Sequence, residues 1–265
     1  MGFLRDLYQY EFLRTAFLGG ILVSILSGVV SPIVVFKRME FIGDGTAHAV
    51  FAGLAIAALA DGDPRLMAFA TSLLFAFAVS TFSKSKLSEN SAIGILLPFF
   101  MAVGIVLFSL SGKYQSDVMS FLFGDILLVN RTDVLITLFI LMTSMILILI
   151  FRWEMKFFIV DEKMALFYGI KTNLIRFLIT AFISITVVTT VKVVGVVLSG
   201  ALLILPGLVS KIFSKSFGSL FTISVTFNLL SFIFGFLVAY ILNLPPGPVI
   251  VIIAFLLFLP MLKFS

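Results

Sequence analysis

The sequence contains no cysteine, one histidine and one tryptophan. Without cysteine the chain has no disulfide, no thiolate metal ligand and no cysteine nucleophile. Charge is also scarce, since 12% of the 265 residues are Asp, Glu, Lys or Arg, whereas 61% are hydrophobic. Soluble domains are about a quarter charged, and disordered chains combine high charge with low hydrophobicity. The composition therefore excludes both classes and indicates an integral membrane protein.

Motifs for ATP hydrolysis are missing as well. The sequence has no Walker motif, no glycine-rich phosphate loop and no His-Glu-x-x-His pair. We therefore expect a protein that is not itself an ATPase or a zinc protease, and that holds no permanent cofactor.

Long charge-free runs predict an all-α, multi-pass membrane protein, because a bilayer core requires about 20 apolar residues per helix. Six such runs are Thr15–Phe36, Leu66–Ser83, Asn90–Gly112, Val134–Phe151, Phe177–Val191 and Val193–Ser210. A seventh, Ser216–Leu262, is too long for one span and contains the breaker Asn243–Pro248, which predicts spans near 217–242 and 249–262. Phe41–Ala60 is apolar except for Asp44 and His48. We expect eight or nine transmembrane helices in one domain over residues 1–265, depending on whether the chain turns at Lys192.

The basic residues predict how the helices are oriented. If the connection 152–176 is cytoplasmic, about twice as many Lys and Arg residues lie inside as outside, as the positive-inside rule requires. With nine spans this places the N-terminus outside. The first apolar run is too long for a signal-peptide core and no small-residue cleavage site follows it, so we expect it to be retained.

Asp44 and His48 are the candidate chemical site. They lie four residues apart, so they share one face of a helix, and a carboxylate with an imidazole suits a divalent transition metal. Ionisable groups within a membrane helix usually face a cavity or an ion pathway. Two interpretations remain open from the spacing: metal or proton handling, and a polar pair that stabilises helix packing.

Two polar connections are candidate contact surfaces. Asp161–Ile170 has the pattern of a short amphipathic helix with acidic residues in its first turn and Gly169 placed to end it. It suits either a surface connector or a contact with a soluble partner. On the predicted outer side, Asp117 and Asp125 flank a segment that suits either a docking surface or a solvated loop.

At these residues the sequence resembles the permease subunits of manganese, zinc and iron ABC importers. The main resemblance is Lys37–Gly53, which contains Gly43-Asp44-Gly45-Thr46-Ala47-His48. Four further landmarks follow in order: Ser120–Asp125, Asp161–Ile170, Gly195–Pro206 and Leu244–Val251. The sequence departs from the family pattern at Thr46-Ala47 and at Phe51-Ala52, and neither departure removes a candidate ligand.

The resemblance implies a membrane-spanning subunit of an ATP-driven importer of a divalent transition metal, in the cytoplasmic membrane. It implies a type II ABC importer-like fold, related to cobalamin and siderophore permeases. Asp44 and His48 fall on the family's metal positions. The implied partners are a cytoplasmic ABC ATPase dimer, an extracytoplasmic metal-binding protein and a second permease copy; nucleic acid is not among them. The residues implied to engage the ATPase are Asp161, Glu162, Met164, Ala165, Phe167 and Gly169.

Several alternatives remain open at this point. One is a permease for a siderophore, haem or cobalamin, and another is a proton-coupled secondary transporter that uses Asp44 and His48 as a relay. The residues do not distinguish zinc, manganese and iron(II). We also expect helix faces rich in small residues to meet other helices or the second copy, such as the face with Gly43, Ala47, Gly53 and Ala57.

Overall fold

The computed structural model describes residues 2–84, 87–112 and 126–264, and within these ranges the chain is helical nearly throughout, with no β-strand. The α-helices are α1 Gly2–Gln9, α2 Glu11–Phe36, α3 Ile42–Ala60, α4 Pro64–Phe82, α5 Glu89–Ser111, α6 Arg131–Ile150, α7 Arg152–Val160, α8 Glu162–Phe167, α9 Thr172–Phe213, α10 Phe217–Leu242 and α11 Pro246–Phe258. Short 3₁₀ helices cover Ile126–Leu128 and Leu259–Phe264.

Eight segments of the described chain are long and apolar enough to cross a membrane. They correspond to α2, α3, α4, α5, α6, the first part of α9, α10, and α11 with the 3₁₀ helix after it. The prediction of an all-α, multi-pass membrane protein is thus confirmed. Ser120–Asp125 and Asp117 lie outside the described residues, so both interpretations of that segment, a docking surface and a solvated loop, stay predictions.

Side-chain caps and turn residues explain where several helices begin and end. Asp63 caps α4 by accepting a hydrogen bond of 2.8 Å from the backbone N–H of Arg65, and Pro64 takes the first helical position. Asn243 ends α10 in the left-handed conformation, with φ 54°. The structure therefore ends this helix where the sequence predicts a break, at Asn243–Pro248.

The contacts divide the chain into two compact units, and the first comprises residues 1–35, 123–144 and 189–265. Its core includes Leu13, Ala16, Val23, Leu198, Leu202, Phe232, Phe236 and Ile250. Asn228 is buried in this unit, and its side-chain amide donates to the backbone carbonyls of Ser24 at 3.2 Å and Leu202 at 3.0 Å. These bonds satisfy carbonyls of two neighbouring helices in a region where water is scarce.

Helix α9 leaves the helical conformation at Gly195, with φ 84° and ψ 167°. Before this point, Thr190 contacts Ser27 at 3.3 Å and Val193 lies beside Gly19, so the chain runs antiparallel to α2. After it, Leu202 shares Asn228 with Ser24, and the backbone N–H of Gly207 donates to Ser31 at 2.6 Å, so the chain runs parallel to α2. The chain therefore reverses direction, and the apolar helix that follows the turn, Leu198–Phe213, is shorter than the eight candidate spans.

The charge pattern predicts a turn at Lys192, but the reversal occurs at Gly195. Lys192 lies within the helix and pairs with Asp133, a buried residue of α6. Because the carboxylate of Asp133 neutralises its charge, Lys192 lies within a helix and not in a loop. The backbone conformation at Gly195 is one that residues with a Cβ essentially never adopt, so the turn occurs there.

The second unit comprises residues 36–122 and 145–188, and α3 packs in it against α4 and α5. Three glycines allow this close packing. A Cβ at Gly45 would lie 2.5 Å from the ring of Phe75, one at Gly53 would lie 2.6 Å from the carbonyl oxygen of Met67, and one at Gly104 would lie 2.4 Å from Phe51.

The small residues of α3 thus pack against other helices of the same chain. Gly43, Ala47, Gly53 and Ala57 are all buried. The expectation that they meet other helices holds, but they are not available to a second copy, because α4 and other parts of the same chain already cover them.

Candidate metal site and coupling segment

Asp44 and His48 lie one turn apart at the N-terminal end of α3. Asp44 is the third residue of the 19-residue helix, so the pair lies within about 10 Å of its start. Asp44 is exposed and His48 is half-buried, whereas Gly45, Thr46, Ala47 and Ala49 are buried. The pair therefore lies on the one face at this end of α3 that the rest of its unit leaves open.

The side chains of Asp44 and His48 offer one carboxylate and one imidazole per chain as candidate metal ligands. Among the described residues there is no group of three or more His, Cys, Asp and Glu side chains that could hold a metal ion. A carboxylate oxygen and an imidazole nitrogen bind Mn(II), Fe(II) and Zn(II), and the remaining ligands must come from water, backbone or another chain.

The residues before α3 form a tight, well-anchored turn. Arg38 adopts a left-handed conformation with φ 54°, and Met39 next to it is buried. The backbone N–H of Ile42 donates to the carbonyl of Met39 at 3.0 Å. The side chain of Asn90 donates to Glu40 at 2.8 Å. These contacts fix the position at which α3 begins, and hence where Asp44 lies.

The connection 151–171 forms two short helices, α7 and α8. Asp161 caps α8, accepting hydrogen bonds from the backbone N–H groups of Lys163 at 2.8 Å and Met164 at 3.3 Å. Gly169, with φ 75°, follows the helix. A helix is therefore present within Asp161–Ile170 as predicted, although it is only six residues long.

The side chains of α8 differ sharply in exposure. Met164 is 47% exposed and Phe167 is 84% exposed, whereas Ala165 is fully buried. Met164 and Phe167 are thus available to a soluble partner. Ala165 packs against this chain, and its part in a contact with a partner stays a prediction.

Four charged side chains form a compact cluster beside α8, which we call the ionic cluster: Lys37, Glu89, Glu162 and Arg176. Lys37 lies 3.6 Å from Glu162 and 3.8 Å from Glu89. Arg176 pairs with Glu162 and lies 3.7 Å from Glu89. The ammonium of Lys37 also stands 3.9 Å from the ring centre of the buried Phe158.

The sequence did not reveal the ionic cluster or the pair between Asp133 and Lys192. All of these residues except Glu162, which lies within the connection 152–176, stand near the end of a predicted span, where charge is explained by topology alone. One signal was available: both signs of charge accumulate at span ends that the positive-inside rule assigns to the same side. Such a signal predicts proximity but not which residues pair.

Comparison with known proteins gives a consistent result along the whole chain. The model of the ABC 3 transport family matches residues 9–265. A probable metal transport system membrane protein of Thermotoga maritima is 75% identical to this chain, over the whole of this chain and 94% of that protein. A manganese transport system membrane protein of Halalkalibacterium halodurans is 32% identical, over 97% of this chain and 88% of that protein.

Solved structures agree with the sequence relatives. PsaBC from Streptococcus pneumoniae in complex with Fab matches with a TM-score of 0.84 and 30% identity, over 98% of this chain and 94% of that chain. A transporter described as of metal-chelate type, in an inward-facing conformation, matches with a TM-score of 0.73 at 20% identity and shows the fold alone. The chain is therefore a multi-pass membrane protein that belongs to the ABC 3 transport family.

Proposed function

We propose that the chain is the membrane-spanning subunit of an ATP-driven importer for a divalent transition-metal ion, in the cytoplasmic membrane. The observation that carries this proposal is the open face at the start of α3, where Asp44 and His48 stand one turn apart. Membership of the ABC 3 transport family supports it. The names of relatives from Listeria monocytogenes and Streptococcus gordonii, which are 29% and 28% identical, specify manganese.

The site would hold the ion as cargo through the Asp44 carboxylate and the His48 imidazole. Two ligands bind weakly, so a second permease copy that brings its own pair would raise the number of protein ligands to four. The absence of cysteine in the whole sequence removes thiolates from the set, which suits Mn(II) and Fe(II) better than soft metals such as Cu(I).

The proposed partners follow from the same architecture. A cytoplasmic ABC ATPase dimer would bind the exposed side chains of α8, with Met164 and Phe167 as apolar contacts. An extracytoplasmic metal-binding protein would deliver the ion to the outer ends of the helices. ATP hydrolysis would belong to the partner, since this sequence contains no phosphate-binding motif.

Mn(II) binding to the purified chain in lipid nanodiscs tests the metal site directly. Electron paramagnetic resonance of free Mn(II) measures the bound fraction, and Zn(II) and Fe(II) are tested by competition. We expect Asp44→Asn and His48→Ala each to weaken binding at least tenfold. Asp63→Asn, which removes an exposed carboxylate at the start of α4, serves as the matched control and leaves binding unchanged.

Two results would contradict the proposed site. Unchanged Mn(II) binding by both Asp44→Asn and His48→Ala would show that the pair is not the metal site. Tight binding of a ferric or cobalt chelate, with no binding of the free ion by the wild type, would favour a permease for metal chelates.

A further inference from the structure

Four helix ends meet at the ionic cluster. Lys37 directly follows α2, Glu89 is the first residue of α5, Glu162 is the first residue of α8, and Arg176 lies in the first turns of α9. Their side chains are between 10% and 28% exposed, so water screens the cluster only in part. The two positive charges balance the two negative ones. Loss of any one side chain would therefore leave a partly buried charge without its partner.

Glu162 places α8 in this cluster. It contacts both cations, Arg176 directly and Lys37 at 3.6 Å. Its neighbour Asp161 caps the same helix, and Ala165 one turn later is fully buried. A displacement of α8 must therefore either break the pairs of Glu162 or carry Lys37 and Arg176 with it.

A continuous set of contacts leads from the ionic cluster to α3. The carboxylate of Glu89 lies within 4 Å of both Lys37 and Arg176. Its neighbour Asn90 donates a 2.8 Å hydrogen bond to Glu40. Glu40 stands two residues before α3 and four residues before Asp44. Lys37 belongs to the same short connection, which Arg38 and the buried Met39 hold in one conformation.

We propose that Glu162 is a positioning residue that ties α8 to the start of α3, through Lys37 and Glu89 and then through Asn90 and Glu40. The inference rests on the proposed function for its consequence: motion that an ATPase imposes on α8 reaches the metal-site helix by this route. Packed side chains and ion-pair networks with two discrete arrangements carry coupling of this kind. The ionic cluster has that form, since Lys37 and Arg176 each lie within 4 Å of both glutamates.

Hydrogen–deuterium exchange of the full chain in nanodiscs tests the physical link and does not depend on transport. Glu162→Gln keeps the shape of the side chain and removes its charge. We expect amide exchange in residues 38–45 to become faster by about fivefold or more, because the opening free energy of that segment falls when its support is lost. Glu154→Gln, at a half-buried glutamate of α7 outside the cluster, leaves exchange in that segment unchanged.

Reconstitution with the cognate ATPase tests the consequence. ATP hydrolysis and metal uptake are measured together in proteoliposomes. We expect Glu162→Gln to assemble and to hydrolyse ATP within about twofold of wild type, while the number of ions carried per ATP falls by about threefold to tenfold. The double variant Glu162→Gln with Lys37→Gln should be no worse than the poorer single variant, since both remove the same connection.

A second variant covers the case in which Glu162→Gln folds poorly. Glu40→Met removes the acceptor of the Asn90 hydrogen bond and so interrupts the route at its other end, without touching α8; it should give the same fall in ions per ATP with normal ATPase binding. Exchange that stays unchanged in residues 38–45, or a ratio of ions to ATP that stays at the wild-type value, would overturn the proposal. If the wild-type complex carries no metal at all, the proposed function fails, and the exchange measurement alone decides whether α8 is tied to α3.

Discussion

At the scale of single residues, Asp44 and His48 carry the chemistry that the proposed function needs. The imidazole binds a metal only in its neutral form, and protons therefore compete with the ion near neutral pH. The pH dependence of metal binding should thus report on the histidine.

We predict that Mn(II) affinity falls as the pH is lowered from 7.5 to 5.5. The direction follows because each bound ion requires the His48 proton to leave, so added protons shift the equilibrium toward the free ion. The pH dependence should become much shallower in His48→Ala. Titration of Mn(II) by electron paramagnetic resonance at five pH values measures both, and an affinity that is flat with pH in the wild type contradicts the assignment of His48.

A second residue-scale prediction concerns the packing of α3. Gly53→Ala places a Cβ 2.6 Å from the carbonyl oxygen of Met67, where a backbone group must move to make room. We expect a loss of about 1–3 kcal/mol in the stability of the unit, as for other overpacked positions.

Gly94→Ala is the matched control for this substitution. Gly94 lies in α5 with nothing within 4 Å of its added Cβ. Alanine there should be neutral or stabilising by up to about 1 kcal/mol, because it is the better helix former. Thermal unfolding of the two variants in the same detergent measures the difference, and equal melting temperatures would contradict the packing described for α3.

The sequence predicts the chemical pair more readily than its surroundings. Asp44 and His48 stand out because ionisable residues are rare in an apolar span. The ionic cluster does not stand out, since Lys37, Glu89 and Arg176 each have an ordinary role at a helix end. Which charges meet depends on how the helices pack, and a single sequence does not contain that information.

At the scale of helices, the reversal at Gly195 is the feature with the sharpest conformational requirement. Its φ of 84° and ψ of 167° are accessible essentially to glycine alone. The charge pattern indicated Lys192 because a lysine ordinarily marks the end of a span, but here the buried carboxylate of Asp133 pairs with it.

We predict that Gly195→Ala destabilises the protein by about 1–3 kcal/mol through backbone strain at the turn. Gly200→Ala, in the same helix, meets nothing within 4 Å of its added Cβ and should be close to wild type. The folded yield and the melting temperature in detergent compare the two variants. A Gly195→Ala protein as stable as Gly200→Ala would show that the chain does not need this conformation to turn back.

Helix α8 gives a prediction about partner binding. Phe167→Glu introduces a charge on a side chain that is 84% exposed, so it should leave the fold intact and abolish association with the ATPase. Ala165→Glu introduces the same charge at a fully buried position and should instead lower the melting temperature of the chain itself.

Co-purification with the ATPase and unfolding of the chain alone separate these two effects. An ATPase that still binds Phe167→Glu with full affinity would show that α8 is an ordinary connector. A normal melting temperature for Ala165→Glu would contradict the packing of α8 against its own chain.

At the scale of the whole molecule, the class of fold follows from composition and run length. Charge-free runs predicted the membrane helices within a few residues of their observed ends: the predicted run Asn90–Gly112 is observed as Glu89–Ser111, and 217–242 is observed as Phe217–Leu242. The physical reason is that a bilayer imposes one length and one polarity on every span. The arrangement of spans into two units depends on side-chain contacts far apart in the sequence, such as the bond from Gly207 to Ser31.

The small-residue face of α3 shows why a single sequence does not predict which surfaces meet a second copy. Small residues predict close approach between helices, yet they do not identify which helix approaches. In this chain α4 packs directly on Gly53, with the backbone of Met67 beside it, so this face is closed to a second copy.

The most direct test of the proposed function is metal uptake into proteoliposomes that contain the chain with its cognate ATPase, measured per correctly assembled complex. We predict ATP-dependent uptake of Mn(II), Zn(II) or Fe(II) by the wild type, no uptake when the ATPase is omitted, and loss of uptake in His48→Ala despite normal assembly. Normal uptake per complex in His48→Ala, or uptake by the wild-type chain without the ATPase, would contradict it.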